Sequence, residues 1–180
     1  IYTLSLHDAL PILVIGAHAT TAMCLRWMER LVSPNMRVYD VGCGSGILAI
    51  AASKLGAGEV IAMDYDPVAV SVALENICQN NAANVAVFES DLLAACEGAP
   101  PAELITANII ADIIIRLFAQ IDRHLAPGGT LLASGIIDDR IADVERAAAE
   151  HGFTVLDMTC EKEWAAMIIR RTADLTDIAD

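Results

Sequence analysis

Apolar residues recur at helical spacing from Thr20 to Leu31, predicting a helix that starts at the threonines and stops before Ser33-Pro34. Met36 to Val41 then reads as a buried strand, and Ile47 to Leu55 as a helix ended by Gly56-Ala-Gly58. Glu59 to Met63 is a second apolar strand. Asp66-Pro67 supplies an N-cap and a first-turn proline for a helix reaching about Asn81. Asn84 to Phe88 and Glu103 to Asn108 read as the third and fourth strands, with Ala111 to Leu125 helical after them. Gly129 to Ser134 is a fifth strand and Asp138 to His151 a helix closed by Gly152. Phe153 to Thr159 and Trp164 to Arg170 lack any helical pattern between them and predict an antiparallel hairpin. Strands alternating with helices and closing in a hairpin predict an α/β fold with a mostly parallel sheet covered on both faces.

The junction between the first strand and its helix carries the strongest chemical signal. Asp40-Val-Gly-Cys-Gly-Ser-Gly46 places glycines at alternate positions, which permits positive φ and leaves no Cβ between a ligand and the backbone. The following helix presents its positive end at the same place. This is the layout of a nucleotide-type site. In the dinucleotide fingerprint the third glycine stands five positions after the first; that position is Ile47 here, and the third glycine, Gly46, comes one residue early. Asp40 at the strand tip would repel a pyrophosphate and attract an ammonium group. The pattern favours a zwitterionic nucleoside over a dinucleotide.

Asp-x-Gly-x-Gly-x-Gly at the end of a first strand resembles the S-adenosylmethionine-dependent methyltransferases of the Rossmann-like class. Asp40 to Ala52, Met63-Asp-Tyr-Asp-Pro67, Thr106-Ala-Asn-Ile-Ile110, Pro127-Gly-Gly129 and Ser134-Gly-Ile136 resemble one family within it, the ribosomal protein L11 methyltransferases (PrmA). The resemblance covers roughly His18 to Arg171. It implies a doubly wound, seven-stranded, Rossmann-like sheet in the order 3-2-1-4-5-7-6. It also implies S-adenosylmethionine as cofactor and a large-subunit ribosomal protein as substrate, methylated on lysine and N-terminal amines. The resemblance further implies a separate N-terminal recognition domain for the substrate, which is not expected within these residues.

Ligands of open α/β sheets sit beyond the carboxyl ends of the strands, which selects the remaining candidates. Gly42, Gly44 and Gly46 form the turn. Asp64 ends the second strand 22 positions after Gly42, close to the ~20 at which an acid takes ribose hydroxyls. Asp66 fits an N-cap instead. Asp91 follows the third strand, where related enzymes often place an acid against the adenine amino group. Asn108 ends the fourth strand beside the expected methyl position; the resemblance implies a cofactor or substrate contact, and the plain alternative is a strand-end turn residue. Cys43 reads as a small filler of the turn. Gly16-Ala-His-Ala-Thr-Thr21 resembles the family's loop over the cofactor, Gly-Thr-Gly-x-His-Pro-Thr-Thr, with Val14, Ile15 and Ala19 as departures. On that loop Thr21 matches a cofactor-contacting threonine, and His18 is either a catalytic loop histidine or a helix-start residue.

Composition restricts the partners. The 180 residues, 56% of them hydrophobic, suit one domain with a sizeable core. The net charge of −13 provides no basic stripe to follow a phosphate backbone, so nucleic acid is disfavoured as substrate and a basic protein suits the field better. Five cysteines, scattered and without a Cys-x-x-Cys pair, argue against a disulfide framework or a zinc site and for a reducing cytoplasm. The apolar stretch Ala9 to Ala17 is far shorter than the ~20 residues that span a bilayer, so neither a signal peptide nor a membrane anchor is expected.

Residues 1–12 read as a leader foreign to the domain, resembling translated sequencing-adapter sequence; residues 13–171 form the expected domain and 172–180 a polar, frayed tail. The alternatives left standing are a methyltransferase for another protein or a small molecule, and a non-catalytic nucleoside-binding module. Ile47 speaks against a nicotinamide oxidoreductase.

Overall fold

The computed structural model describes residues 18–178, so the expectations for residues 1–17, including the foreign leader, Val14, Ile15 and Gly16, lie outside the described residues. The element order is α1 (Ala19–Leu31), β1 (Arg37–Val41), α2 (Ile47–Lys54), β2 (Glu59–Asp64), α3 (Pro67–Gln79), β3 (Val85–Glu89), β4 (Ala102–Asn108), α4 (Ala111–Ile121), β5 (Leu125–Ile137), α5 (Ile141–Glu150), β6 (Phe153–Glu161) and β7 (Trp164–Arg171). The seven strands form one sheet in the order β3-β2-β1-β4-β5-β7-β6, the Rossmann-like order that the resemblance implies. β1 to β5 run parallel; β7 is antiparallel to β6, as the missing helix between those two predicts, and also to β5.

Burial on both faces explains why the central strands are nearly continuous apolar runs. One face packs Tyr39, Met63, Ile105 and Ala133 beneath α4 and α5, with Ile114, Phe118 and Val144 from those helices. The other packs Val38, Val60, Leu104 and Leu132 beneath α1, α2 and α3, with Met28, Ile50 and Ile77. Ile105 and Met63 are wholly buried, and a side chain of that kind contributes roughly 1.5–3 kcal/mol.

Several boundaries differ from the pattern reading, each for a local reason. The helix expected to reach Leu125 ends at Ile121, because Leu125 is drawn into the sheet opposite Ala102 and buried there. β5 therefore begins four residues earlier than Gly129 and runs through Pro127-Gly128-Gly129, with Gly128 at φ +70° where the register shifts. α3 stops at Gln79 because Asn81 takes a left-handed φ of +52°. Asp138–Arg140 form a 3₁₀ turn, so α5 starts at Ile141. The tail is pinned in its first residues: the Thr172 N–H donates to Gly152 O at 2.8 Å, and Asp174 Oδ2 accepts from the Gly128 N–H at 2.8 Å.

Candidate functional site

The strand order reverses at β1, whose neighbours β2 and β4 carry the chain away in opposite directions, and the candidate site lies beyond the carboxyl ends of these strands. The turn after β1 holds Gly42, Gly44 and Gly46 at φ +68°, +53° and +80°. Each glycine answers a different constraint. A Cβ on Gly42 would stand 2.3 Å from Ile109 Cγ2, and one on Gly46 would press Ala73 Cβ at 3.2 Å. Around Gly44 there is nothing within 4 Å, so its bare backbone faces open space. The turn is tied to β2 by the Cys43 N–H donating to Met63 O at 2.9 Å. Burial pushes the Cys43 thiol far up, which keeps it a neutral filler at this turn.

Two aspartates brace the turn. Asp40 is 1% exposed; its Oδ2 accepts from the Ala49 N–H at 3.1 Å and its Oδ1 from the Thr106 hydroxyl at 2.7 Å. Desolvation raises its pKa to about 6, against the lowering effect of those two hydrogen bonds. The contacts that the structure gives this carboxylate are thus internal to the fold, although it also lines the cleft. Asp64 accepts from the Gly44 N–H at 2.9 Å and from the Asp66 N–H at 3.0 Å, one on each oxygen. Asp66 caps α3 by accepting from the Val68 N–H at 2.9 Å.

The cleft has two lobes that share Gly42. The larger, about 420 Å³, has a floor of Val41, Met63, Leu92 and Ile109, with Asp64, Tyr65, Asp91, Ile113 and Arg116 around it. The smaller, about 190 Å³, is bounded by Thr21, Asp40, Gly44, Ser45 and Asn108. Asn108 Nδ2 donates to Thr21 Oγ1 at 3.2 Å, so the start of α1 is fastened to the end of β4. The fold therefore gathers Asp40, Gly42, Gly44, Asp64, Asp91, Thr21 and Asn108 around one cleft. Gly46 lies behind it against α3. His18 lines neither lobe. It is the N-cap of α1, accepting weakly from the Thr20 N–H at 3.4 Å, with its ring edge-on to Trp164 at 5.1 Å. Of its two sequence readings, the geometry supplies the helix-start one.

Among the cleft residues to which pattern reasoning gave no role are Ile109, Arg116, Ile113 and Leu92. Ile109 fills the space left by Gly42 and approaches Gly135, where a Cβ would meet Ile109 O at 2.5 Å; the sequence marks it only indirectly, through those two glycines and its place in Thr106-Ala-Asn-Ile-Ile110. Arg116 and Ile113 lie on α4 with nothing to distinguish them from other helix residues. Leu92 takes φ +52° and is held there by Ser90, whose hydroxyl donates to Leu92 O at 3.0 Å and accepts from the Ala95 N–H at 2.9 Å. A leucine in left-handed backbone leaves no mark in a sequence.

Among the described residues no helix is long and apolar enough to cross a membrane, and no group of three or more His, Cys, Asp or Glu could hold a metal ion.

Residues 15–172 match the family model for ribosomal protein L11 methyltransferase (PrmA). The chain is 50% identical over 156 residues to the ribosomal protein L11 methyltransferase of Caldanaerobacter subterraneus subsp. tengcongensis, covering 87% of this chain and 50% of that protein. It is 46% identical over 157 residues to the protein of the same name from Heliobacterium modesticaldum, covering 87% and 49%. It thus spans about half the length of the curated relatives it matches. Among solved structures, the ribosomal protein L11 methylase of Lactobacillus delbrueckii subsp. bulgaricus superposes with a TM-score of 0.81 at 38% identity, over 87% of this chain and 80% of that one. A matching family model over nearly the whole described domain, with close relatives and a superposable structure that carry the same name, makes this chain a member of the ribosomal protein L11 methyltransferase (PrmA) family.

Proposed function

We propose that this chain is the catalytic domain of an S-adenosylmethionine-dependent protein N-methyltransferase that acts in the cytoplasm on lysine and N-terminal amines of a large-subunit ribosomal protein. The observation that carries the reading is the two-lobed cleft pivoting on Gly42, apolar on one side and lined by Asp40, Thr21 and Asn108 on the other. The residues fit the cofactor. The apolar floor of Val41, Met63 and Leu92 suits a purine, and Asp91 at its edge suits an amino group. Asp64, although it already accepts two backbone N–H bonds, keeps further lone pairs for ribose hydroxyls. Open space at Gly44 lets the ligand lie against the peptide, and Asp40 and Thr21 suit its amino-acid end.

When bound, S-adenosylmethionine supplies a methyl group on an electrophilic sulfonium, so the protein needs position more than acid–base chemistry. Asn108 is held through its amide nitrogen by Thr21, which leaves its oxygen as the group offered to an amine N–H. Being neutral, it does not hold a lysine as its ammonium form. Desolvation at the cleft lowers the amine pKa and favours the reactive base. No proton transfer is assigned to His18, whose Nδ1 caps α1.

The net charge of −13 favours approach of a basic partner. Capture of the ribosomal protein is part of the same proposal and belongs to a separate recognition domain. Methyl incorporation into purified ribosomal protein from labelled S-adenosylmethionine tests both parts. The domain joined to a family recognition domain should label lysine and N-terminal amines, and the domain alone should label them far more slowly. No incorporation by either, with cofactor binding intact, refutes the acceptor; equal rates refute the separate recognition domain.

A further inference from the structure

The mouth of the larger lobe carries an ion pair whose acidic member, Asp91, is read above as the partner of the adenine amino group and whose basic member, Arg116, has no role yet. Arg116 on α4 places Nη2 3.4 Å from both Oδ1 and Oδ2 of Asp91, which follows β3. The two residues come from different walls of one cavity. Their side chains are 55% and 56% exposed, while Met63 and Leu92 in the same cavity are buried, so the pair stands at the rim above an apolar floor. An exposed pair at this distance contributes little to folding. Its acidic partner is nevertheless fixed with care. Asp91 lies between Ser90, whose hydroxyl makes two hydrogen bonds to the loop, and Leu92 at φ +52°. A non-glycine residue persists in that region only when its surroundings impose it.

The chemistry of the pair matches one base edge. Asp91 offers acceptors only, and Arg116 offers donors only. Adenine presents a complementary set, a donor on its exocyclic amino group and acceptors on its ring nitrogens. Hypoxanthine replaces the amino donor with a carbonyl acceptor. The contact with Asp91 uses only Nη2, so Nε and Nη1 of Arg116 take no part in it. A planar guanidinium anchored at one nitrogen is oriented without being consumed.

We propose that Arg116, oriented by Asp91, is a base-reading residue: it donates to a ring nitrogen of adenine and so adds to the amino-group contact already assigned to Asp91 a second contact that selects the base. The inference rests on the adenosyl-ligand reading of the cleft and extends it to a residue on α4.

Calorimetric titration with S-adenosylhomocysteine and S-inosylhomocysteine separates the two ideas. The unaltered chain should bind the adenosyl compound at least about tenfold more tightly than the inosyl one. Arg116→Met should weaken adenosyl binding by about tenfold and shrink that preference. Arg116→Lys should restore part of the affinity but little of the preference, because an ammonium lacks the fork geometry. Asp91→Asn, which offers both a donor and an acceptor, should improve inosyl binding. Both side chains are more than half exposed, and unchanged thermal midpoints should confirm that the variants fold. If Arg116→Met keeps the unaltered affinity and preference, Arg116 does not read the base. If the unaltered chain binds neither compound, the adenosyl reading itself fails, and the inference with it.

Discussion

The turn after β1 and the loop after β3, one strand apart at the carboxyl end of the sheet, line the same cavity and solve one problem in two ways. Both need left-handed backbone. The first uses Gly42, Gly44 and Gly46, residues for which positive φ costs nothing; the second forces Leu92 to φ +52° and fixes it with the Ser90 hydroxyl. Both also have a buried polar side chain beside them, Asp40, which ties the end of β1 to α2 and β4 across the glycine turn, and Ser90, which bonds within its own loop. The difference is where the information resides. In the glycine turn the residue type itself is the constraint; in the Ser90 loop the constraint is a pair of local side-chain hydrogen bonds that an ordinary serine provides.

Substitutions can break each solution separately. The largest effect should come from Gly42→Ala, which adds a left-handed alanine and a Cβ 2.3 Å from Ile109 Cγ2. Strain and overpacking together predict a loss of about 3–5 kcal/mol in urea unfolding. Combining it with Ile109→Ala should cost less than the sum of the two, because the second change removes the colliding methyl group.

The brace beside the glycine turn should appear in the pH dependence of stability. Asp40 has a folded-state pKa of about 6, above its ordinary value near 3.8. Between roughly pH 4 and pH 6 the native state therefore binds more protons at this site than the unfolded state does. Stability from this group should fall as pH rises through that window, by about 2–3 kcal/mol, and level off above it. Asp112 and Asp143 have lowered pKa values because of Arg140, so their contributions act in the opposite direction and at lower pH, lost as pH falls below the ordinary carboxylate range. Asp40→Asn should flatten the dependence between pH 4 and 6 in thermal unfolding. An unchanged slope would show that Asp40 does not titrate there.

Ser90→Ala tests the other brace. It deletes the acceptor of the Ala95 N–H and the donor to Leu92 O, for an expected loss of about 1–3 kcal/mol in urea unfolding. It should also weaken adenosyl-ligand binding, since Asp91 depends on the loop. Gly44→Ala should show the smallest change in stability, about 1 kcal/mol, because its Cβ meets nothing in the folded chain. That methyl group projects where a ligand is expected to lie, so calorimetry should find affinity reduced about tenfold or more. Intact affinity would mean that the ligand does not touch the turn.

The same contrast explains how much of the molecule was legible. Alternating strand and helix patterns exposed the architecture, and the absence of a helical pattern between Phe153 and Trp164 exposed the hairpin, because burial on one or both faces imposes periodicity. Asp40, Gly42, Gly44 and Asp64 were legible because few residue types meet their demands at those offsets. Strand order came from resemblance, since registry such as Asn108 opposite Ser134 depends on contacts that local sequence does not encode. The end of α4 was misread because Leu125 fits a helical stripe as well as it fits a buried strand. Arg116, Ile113 and Leu92 were invisible for a related reason: what matters about them is which wall of the cleft they reach. His18 shows the converse, a chemically suggestive residue whose Nδ1 is engaged in capping a helix.

Calorimetric titration of the chain with S-adenosylhomocysteine and with NAD tests most directly the claim that the two-lobed cleft takes a zwitterionic adenosyl ligand. The account predicts saturable one-to-one binding of S-adenosylhomocysteine, weakened by Gly44→Ala, and no response to NAD. Saturable NAD binding with no response to S-adenosylhomocysteine would contradict it.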